Sequence, residues 1–167
     1  MKNTKKLTLT ALLCAVAIVL SFVEGMFVFV PQCPGVKVGL SNIAVMFALF
    51  FMDKKTGVAI GLLKSLFALV TRGAMAGLLS LAGGLSSILV MIILLNIFKG
   101  TSTSTVSIFA ALTHNLAQFG VISIVYAPMS MLPYLPILII SGIVFGVANA
   151  IFLHAVTPAL SKLGGKK

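Results

Sequence analysis

The stretch GVAIGLLKSLFALVTRG, residues 57–73, has the apolar composition of a membrane helix, yet Lys64 lies at its centre and Arg72 near its end. On insertion scales, a charged side chain in the middle of a membrane helix costs about 2.5–3.5 kcal/mol. A four-carbon stem reaches water from that depth only with difficulty. Lys64 therefore predicts either a polar partner inside the protein or a water-filled cavity beside the helix.

The composition of the whole chain indicates an integral membrane protein. Of the 167 residues, 60% are hydrophobic and 8% are charged, whereas about a quarter are charged in soluble domains. No linker or run of like charge divides the chain, so we predict a single domain, residues 1–167. Two cysteines are too few for a disulfide framework, and no carboxylate or thiol cluster predicts a metal site.

The formal net charge of +10 would suit a nucleic-acid-binding protein, but its distribution argues against that class. Most of the basic residues flank apolar runs, which is the pattern that fixes membrane topology. No basic and aromatic surface accompanies them, so nucleic acid is not a predicted partner. The nine flanking residues, of twelve basic residues in all, are Lys2, Lys5, Lys6, Lys54, Lys55, Lys99, Lys162, Lys166 and Lys167.

Six apolar runs predict an all-α membrane protein with six transmembrane helices, because a span needs about 20 apolar residues. With the N-terminus in the cytoplasm, all nine flanking basic residues fall inside, so both termini are predicted to be cytoplasmic. The second and third spans are short, which indicates either an irregular backbone beside a cavity or local thinning of the bilayer. The predicted helices are residues 7–30, 38–52, 57–70, 78–98, 105–127 and 135–156.

Charged and amide side chains in or near these spans are candidate substrate-binding groups. Lys37, Lys64 and Arg72 are the basic residues left for the membrane or the outer side, so we predict an anionic ligand. For Lys64 and Arg72 the alternative is a structural ion pair with Glu24, which could also accept a hydrogen bond from substrate. Asn42 could face the same outward pocket or lie at the membrane interface.

The segment THNLAQ, residues 113–118, adds three hydrogen-bonding side chains within the fifth span. His114 and Gln118 are four residues apart and therefore share one helix face, and Asn115 is adjacent. At membrane depth each of these groups needs a partner. Ligand binding and hydrogen bonding to a neighbouring helix are equally favoured by this pattern.

Small residues form a second kind of pattern. Ser80, Gly84, Ser87 and Met91 lie on one face of the fourth span, where small residues either allow close helix packing, which is favoured, or leave space for a ligand. Gly142 and Gly146 have the same spacing as a packing motif in the sixth span, and for them close packing is favoured.

Three segments carry a resemblance to a known family: PGVKVGLSNIAVMFALFFM at 34–52, LSLAGGLSSILVM at 79–91 and LTHNLAQFGVISIVYA at 112–127. In this order they resemble the integral membrane family labelled heptaprenyl diphosphate synthase component I, also called the Gx transporter family. The resemblance covers about residues 7–156. The family has Arg where this chain has Lys64, so the charge is kept while the bidentate guanidinium geometry is lost.

This family resembles the S components of energy-coupling factor (ECF) transporters, six-helix membrane proteins that capture vitamins or related micronutrients at the outer face. The resemblance implies an ECF S-component-like bundle in a prokaryotic plasma membrane. It also implies docking onto a transmembrane coupling protein that carries two ATP-binding subunits, and Ala11 and Ala15 match the Ala-x-x-x-Ala docking motif. ATP would be used by those partners, because this chain has no G-x-x-x-x-G-K-[ST] loop; it is predicted to bind no cofactor.

Three functions follow from these observations. The first is an S component that captures a small anionic molecule, either vitamin-like or an isoprenoid or quinone precursor. The second is a noncatalytic membrane partner in isoprenoid, quinone or surface redox metabolism, and the third is an autonomous carrier coupled to protons through Glu24 or His114. Enzymatic prenyl diphosphate synthesis is not predicted, because magnesium requires clustered carboxylates and the chain has two acidic residues in all.

Overall fold

The computed structural model describes residues 3–26, 39–98, 100–126 and 132–164. These residues form six α-helices and one short 3₁₀ helix, which confirms the predicted all-α fold. The helices are α1 (Asn3–Met26), α2 (Ser41–Phe51), α3 (Lys54–Arg72), α4 (Ala74–Ile97), α5 (Thr103–Tyr126) and α6 (Leu135–Gly164), with the 3₁₀ helix at Leu132–Tyr134.

Four of the described helices, α1, α4, α5 and α6, are long and apolar enough to cross a membrane. Their outward faces carry large aliphatic side chains, such as Ile124, which is 86% exposed. Such a continuous apolar surface is suited to lipid, so the protein is embedded in a membrane. The cytoplasmic location of both termini stays a prediction.

Helix α2 is short because it lies inside the bundle. Eight of its eleven residues are buried, and it contacts α1, α3, α4 and α6. A helix that is apolar on all sides is typical of a protein interior. Since α2 is surrounded by protein, it does not have to match the thickness of the bilayer, and its 11 residues reach only about 16 Å.

Helix α3 is continuous and longer than predicted. It begins at Lys54, three residues earlier than predicted, because Asp53 caps its first turn. The carboxylate of Asp53 accepts hydrogen bonds from the Thr56 N–H, at 2.8 Å, and from the Thr56 hydroxyl, at 3.0 Å. This cap draws Lys54 and Lys55, which the sequence placed in a loop, into the helix. The ammonium of Lys6 lies 2.8 Å from the same carboxylate and, together with Thr56, lowers the pKa of Asp53 to about 2.

Glycines bring α5 and α6 into backbone contact, as predicted for this pair. A side-chain carbon added to Gly146 would lie 2.6 Å from the Ile108 Cα, and one added to Gly142 would lie 2.9 Å from the Leu112 side chain. The hydroxyl of Ser107 donates to the Gly146 carbonyl at 2.7 Å. The spacing of these two glycines therefore serves close helix packing.

A single residue, Gly73, connects α3 to α4, although the sequence predicted a loop over residues 71–77. Its backbone angles are φ 88° and ψ 174°, a region that is essentially restricted to glycine. The Gly73 N–H donates to the Leu69 carbonyl at 3.1 Å, and the Gly73 carbonyl accepts from Gly77 at 3.1 Å. The turn thereby keeps Arg72 in the last turn of α3 and begins α4 at once.

Replacing Gly73 with alanine should lower the free energy of unfolding by about 1–3 kcal/mol, because the backbone conformation, and not crowding, excludes a side chain there. The control is Gly120→Ala, within α5, where no atom lies near the added carbon and φ is not positive. That change should be neutral or stabilising by up to about 1 kcal/mol, since alanine favours helix. Unfolding of both variants in detergent would be followed by circular dichroism, and equal stability of the two would contradict the prediction.

Candidate functional site

Polar side chains from five helices converge at one end of the bundle. They come from the C-terminal parts of α1 and α3, the N-terminal parts of α2 and α4, and the middle of α5. The opposite end carries the Lys6–Asp53 ion pair. We call the converging polar side chains the polar cluster. Its members are Ser21, Glu24, Ser41, Asn42, Lys64, Arg72, Ser80, His114 and Gln118.

Lys64 is held at the centre of the polar cluster and is 3% exposed. Its Nζ donates to Asn42 Oδ1 at 2.6 Å and to the Ser41 hydroxyl at 3.3 Å. Both acceptors belong to the first turn of α2. Hydrogen bonds with an ionised donor are stronger than neutral ones, so this contact fixes the start of α2 against α3.

The hydrogen bonds around Asn42 define the tautomer of His114. A lysine ammonium only donates, so the carbonyl oxygen of the Asn42 amide must face Lys64 and its Nδ2 must face the other way. Asn42 Nδ2 lies 3.4 Å from His114 Nδ1. His114 therefore accepts at Nδ1 and, as a neutral ring, carries its proton on Nε2. The predicted ligand candidates Asn42, Lys64 and His114 thus form one chain of contacts across α2, α3 and α5.

Glu24 joins the polar cluster from α1. Its carboxylate accepts hydrogen bonds from the Leu40 N–H and, at 3.0 Å, from the Ser41 hydroxyl. A carboxylate at the N-terminus of a helix is favoured by the helix dipole, so Glu24 stabilises the start of α2. The Ser41 hydroxyl donates to Glu24 and accepts from Lys64, and it therefore links the two groups that the sequence paired.

Arg72 reaches the polar cluster from the end of α3. Its Nη2 donates to the Ser21 hydroxyl on α1 at 2.9 Å, while its Nε is buried and no residue in the described ranges accepts from it. The guanidinium packs on Gly25, where an added carbon would lie 2.6 Å from Nη1. Because Gly25 has no side chain, α1 leaves room for the Arg72 guanidinium.

Gln118 has an acceptor to spare. Its side chain is fully buried, and its Nε2 donates to the Leu79 carbonyl at 3.2 Å. That bond leaves Oε1, which has no hydrogen-bond partner among the residues that the structure describes. A buried unpaired amide oxygen destabilises a fold by about 1–3 kcal/mol. An orphaned acceptor of this kind is typical of a site that receives a donor from outside the chain.

The polar cluster encloses a narrow cavity of about 10 Å³, which is room for one water molecule. Two cations, Lys64 and Arg72, and one carboxylate, Glu24, line it. Among the described lining residues one positive charge is therefore left over, with His114 neutral. The cavity offers buried N–H donors, one unpaired acceptor and a net attraction for an anion.

Three other predicted residues lie elsewhere. Asn115 donates to the Leu138 carbonyl at 3.2 Å and lies 3.4 Å from the Ser141 hydroxyl, both on α6. Ser87 donates to the Gly84 carbonyl at 2.9 Å within α4, and neither residue lines the cavity of the polar cluster. Ser87 is thus bonded within its own helix. Asn115 also lines, together with Asn42 and His114, an adjoining cavity of about 10 Å³. Lys37 lies outside the described residues.

The sequence analysis missed two serines of the polar cluster. Ser21 precedes Glu24 by three residues on α1 and therefore lies on the same helix face, and Ser41 directly precedes Asn42. For Ser21 the available signal was a polar residue at helical spacing from Glu24, and for Ser41 it was its position directly before Asn42. Asn149 of α6 was also missed: it donates to the Gly39 carbonyl at 3.3 Å and ties α6 to the start of α2.

The predicted docking residues, Ala11 and Ala15, lie on α1 and are exposed. They are four residues apart and share one face of the helix. Ala15 precedes Ser21, the nearest member of the polar cluster on α1, by six residues, so about 9 Å of helix lies between this surface and the polar cluster.

The fold is that of an ECF S component. A solved structure described as the S component of a bacterial ECF transporter is similar to this chain with a TM-score of 0.73 and 20% sequence identity, and the similarity covers 99% of this chain and 100% of that one. Residues 13–156 match the family heptaprenyl diphosphate synthase component I, and the chain belongs to that family. Among curated proteins, none matches this chain in sequence.

Gly83→Ala should disturb the polar cluster, because the added carbon would lie 2.8 Å from the His114 ring and 3.0 Å from Gln118 Cγ. Overpacking of this kind costs about 1–3 kcal/mol of unfolding free energy. The neighbouring Gly84→Ala is the control, since its added carbon would meet the Ser65 hydroxyl at an ordinary 3.7 Å.

Thermal unfolding of both glycine variants in detergent would measure the difference. A histidine NMR shift should also move in the first variant and stay in place in the second. Equal effects of the two changes would show that the position of the His114 ring does not depend on a glycine at residue 83.

Proposed function

We propose that this chain is the substrate-binding S component of an ECF-type importer and that the polar cluster binds the anionic part of its substrate. The observation that carries the proposal is the buried charge of Lys64 beside the unpaired Oε1 of Gln118. A fully buried acceptor that no described residue satisfies, beside a cavity with room for one small polar group, supports a ligand site.

The described lining of the cavity supports a particular ligand chemistry. Within the described part of the chain, the Arg72 Nε donor and the Gln118 Oε1 acceptor have no partner. The excess of one positive charge favours a group with a single negative charge. A group that combines an anionic oxygen with a donor hydrogen, such as a singly protonated phosphate monoester or a hydroxy acid, meets all three conditions. Vitamin-like molecules and isoprenoid or quinone precursors contain such groups.

The distribution of basic residues supports an outward-facing site. The start of α1 and the start of α3 lie at the end opposite to the polar cluster and carry Lys5, Lys6, Lys54 and Lys55. Basic flanking segments favour the cytoplasmic side. With that orientation the polar cluster faces outward, where an importer must capture its substrate, and both termini lie in the cytoplasm.

Ala11 and Ala15 are proposed to dock the chain onto a transmembrane coupling protein that carries two ATP-binding subunits. Both alanines are exposed on α1, and small side chains allow a partner helix to approach closely in lipid. In this arrangement the chain is not an enzyme: the partners hydrolyse ATP, and this chain supplies the substrate site.

The experiment that tests the site is mass spectrometry of small molecules that copurify with the protein from a prokaryotic membrane. Lys64→Met should lower the amount of bound anion at least tenfold, because it removes a buried charge-assisted donor worth about 1.5–3 kcal/mol. Lys64→Arg, which keeps the charge, should retain binding. Lys55→Met is the control, since this exposed lysine lies at the opposite end. The same bound molecules in Lys64→Met and the unchanged protein would refute an anion site at Lys64.

Docking is tested by capture of an ECF coupling protein on the tagged chain in detergent. Replacing Ala11 and Ala15 together with tryptophan should abolish capture, because two large side chains would keep the helices apart. Ala155→Trp is the matched control: it places the same side chain at an exposed alanine on α6. Loss of capture in the control alone, or in neither protein, would contradict docking through α1.

The family description favours a second function, a noncatalytic partner of a prenyl diphosphate synthase. Among the described residues, no group of three or more His, Cys, Asp or Glu side chains could hold a metal ion. If the chain is a partner of the synthase, the tagged chain should capture the synthase and no coupling protein. The same capture experiment therefore separates the two functions.

A further inference from the structure

A second, much larger space lies on the lipid-facing side of the hairpin formed by α3 and α4. This apolar groove has a volume of about 470 Å³, within the range of about 300–1,000 Å³ that is usual for ligand pockets. The cavity of the polar cluster has about 10 Å³. The groove is lined by Leu62, Leu63, Leu66, Leu69, Leu78 and Leu81, with Ser65 as its one polar lining residue.

Only two serine hydroxyls separate the groove from the polar cluster at Ser65. Ser65 lines the groove, Ser80 lines the cavity of the polar cluster, and their Oγ atoms are 3.2 Å apart. The Ser65 hydroxyl already donates to the Gly61 carbonyl at 2.9 Å, so Ser80 donates to Ser65. Beside this pair, a carbon added at Gly84 would meet Ser65 Oγ at an ordinary contact distance of 3.7 Å, so the Gly84 side of the pair is not overpacked.

We propose that the ligand is an anionic amphiphile whose head group binds in the polar cluster and whose hydrocarbon tail lies in the groove between α3 and α4. The inference rests on the proposed function, because it takes the polar cluster to be the substrate site. The cavity admits about one oxygen atom of an anionic group, so the bulk of any larger molecule needs another space. The groove supplies that space next to the cavity, and its lining is apolar throughout except for one serine.

The two spaces match the two parts of such a molecule. One oxygen of a charged head would enter the cavity lined by Lys64, Arg72 and Gln118. The tail would contact the leucines of the groove, together with Ala74 and Gly77. A single hydrogen bond between neutral hydroxyls is a weak barrier, so exchange of the Ser65–Ser80 bond for contacts with the ligand connects the two.

The membrane determines how this inference must be tested. A tail in lipid is already in an apolar environment, so its transfer into the groove gains little free energy. The head group, and not tail length, must therefore hold the molecule in place. Occupancy of the groove should depend on the charge of the head and on the polar cluster, whereas an ordinary lipid chain in the groove would depend on neither.

The experiment is photolabelling of the protein in phosphatidylcholine nanodiscs with farnesyl phosphate that carries a diazirine at the end of its tail. At about pH 6 about half of a phosphate monoester is singly protonated, so the head can both accept and donate. Labelled residues would be mapped by peptide mass spectrometry. We expect labels on residues 62–81, displaced by an excess of unlabelled geranyl phosphate, and at least fivefold fewer labels there with the matching neutral farnesol probe.

Two tryptophan variants provide a matched pair. Leu78→Trp fills the groove and should reduce labelling of residues 62–81 at least fivefold. Leu89→Trp adds the same side chain eleven residues along the same face of α4, outside the groove, and should leave labelling unchanged. Leu78 is 52% exposed and Leu89 is 59% exposed, so both replacements face lipid and neither requires a change in the core.

The outcomes separate this inference from the proposed function. Equal labelling of the groove by the charged and neutral probes would mean that it holds membrane lipid, and would overturn the inference. Scattered labelling by the charged probe would overturn it as well. Either result would leave the proposed function standing if the copurifying anion still disappears in Lys64→Met. Labelling that requires the charged head and is lost in Leu78→Trp but not in Leu89→Trp supports the inference.

Discussion

The buried charge of Lys64 is the constraint around which this end of the bundle is organised. An ammonium at membrane depth must be compensated, and the first turn of α2 supplies the Asn42 carbonyl and the Ser41 hydroxyl at 2.6 and 3.3 Å. Those two contacts orient the Asn42 amide, which in turn determines the tautomer of His114. The same turn of α2 is bonded to Glu24, so one charge connects α1, α2, α3 and α5.

The two ends of the molecule differ in how completely their buried polar groups are hydrogen-bonded. At the end near Lys6 and Asp53, the interior is apolar and the cap of α3 is complete. At the other end, some buried donors and acceptors find no partner among the described residues, as Arg72 Nε and Gln118 Oε1 demonstrate. Natural proteins depart from full internal satisfaction mainly at functional sites. The contrast therefore supports a binding role for the polar cluster more strongly than any one residue type does.

Much of this arrangement could be predicted from the sequence. Six helices, a partner for Lys64, and a shared face for His114 and Gln118 followed from hydropathy, the cost of a buried charge and helical spacing. The sequence could not reveal that α2 is the enclosed helix, because enclosure depends on how the other helices pack. Nor could it show that Asn115 turns to α6 while Gln118, three residues on, turns to α4: adjacent faces of one helix meet different neighbours.

The enclosure of α2 has a consequence for how the protein is made. Eleven residues are too few to be recognised as a membrane span by a translocon, which responds to about 20 apolar residues. Helix α2 is therefore not expected to insert into the bilayer as an independent span during synthesis. It must be retained through α1, already inserted, and α3, which follows one short turn later. Biogenesis of this chain is thus expected to proceed by insertion of a three-helix unit, with the shortest helix drawn in by its neighbours.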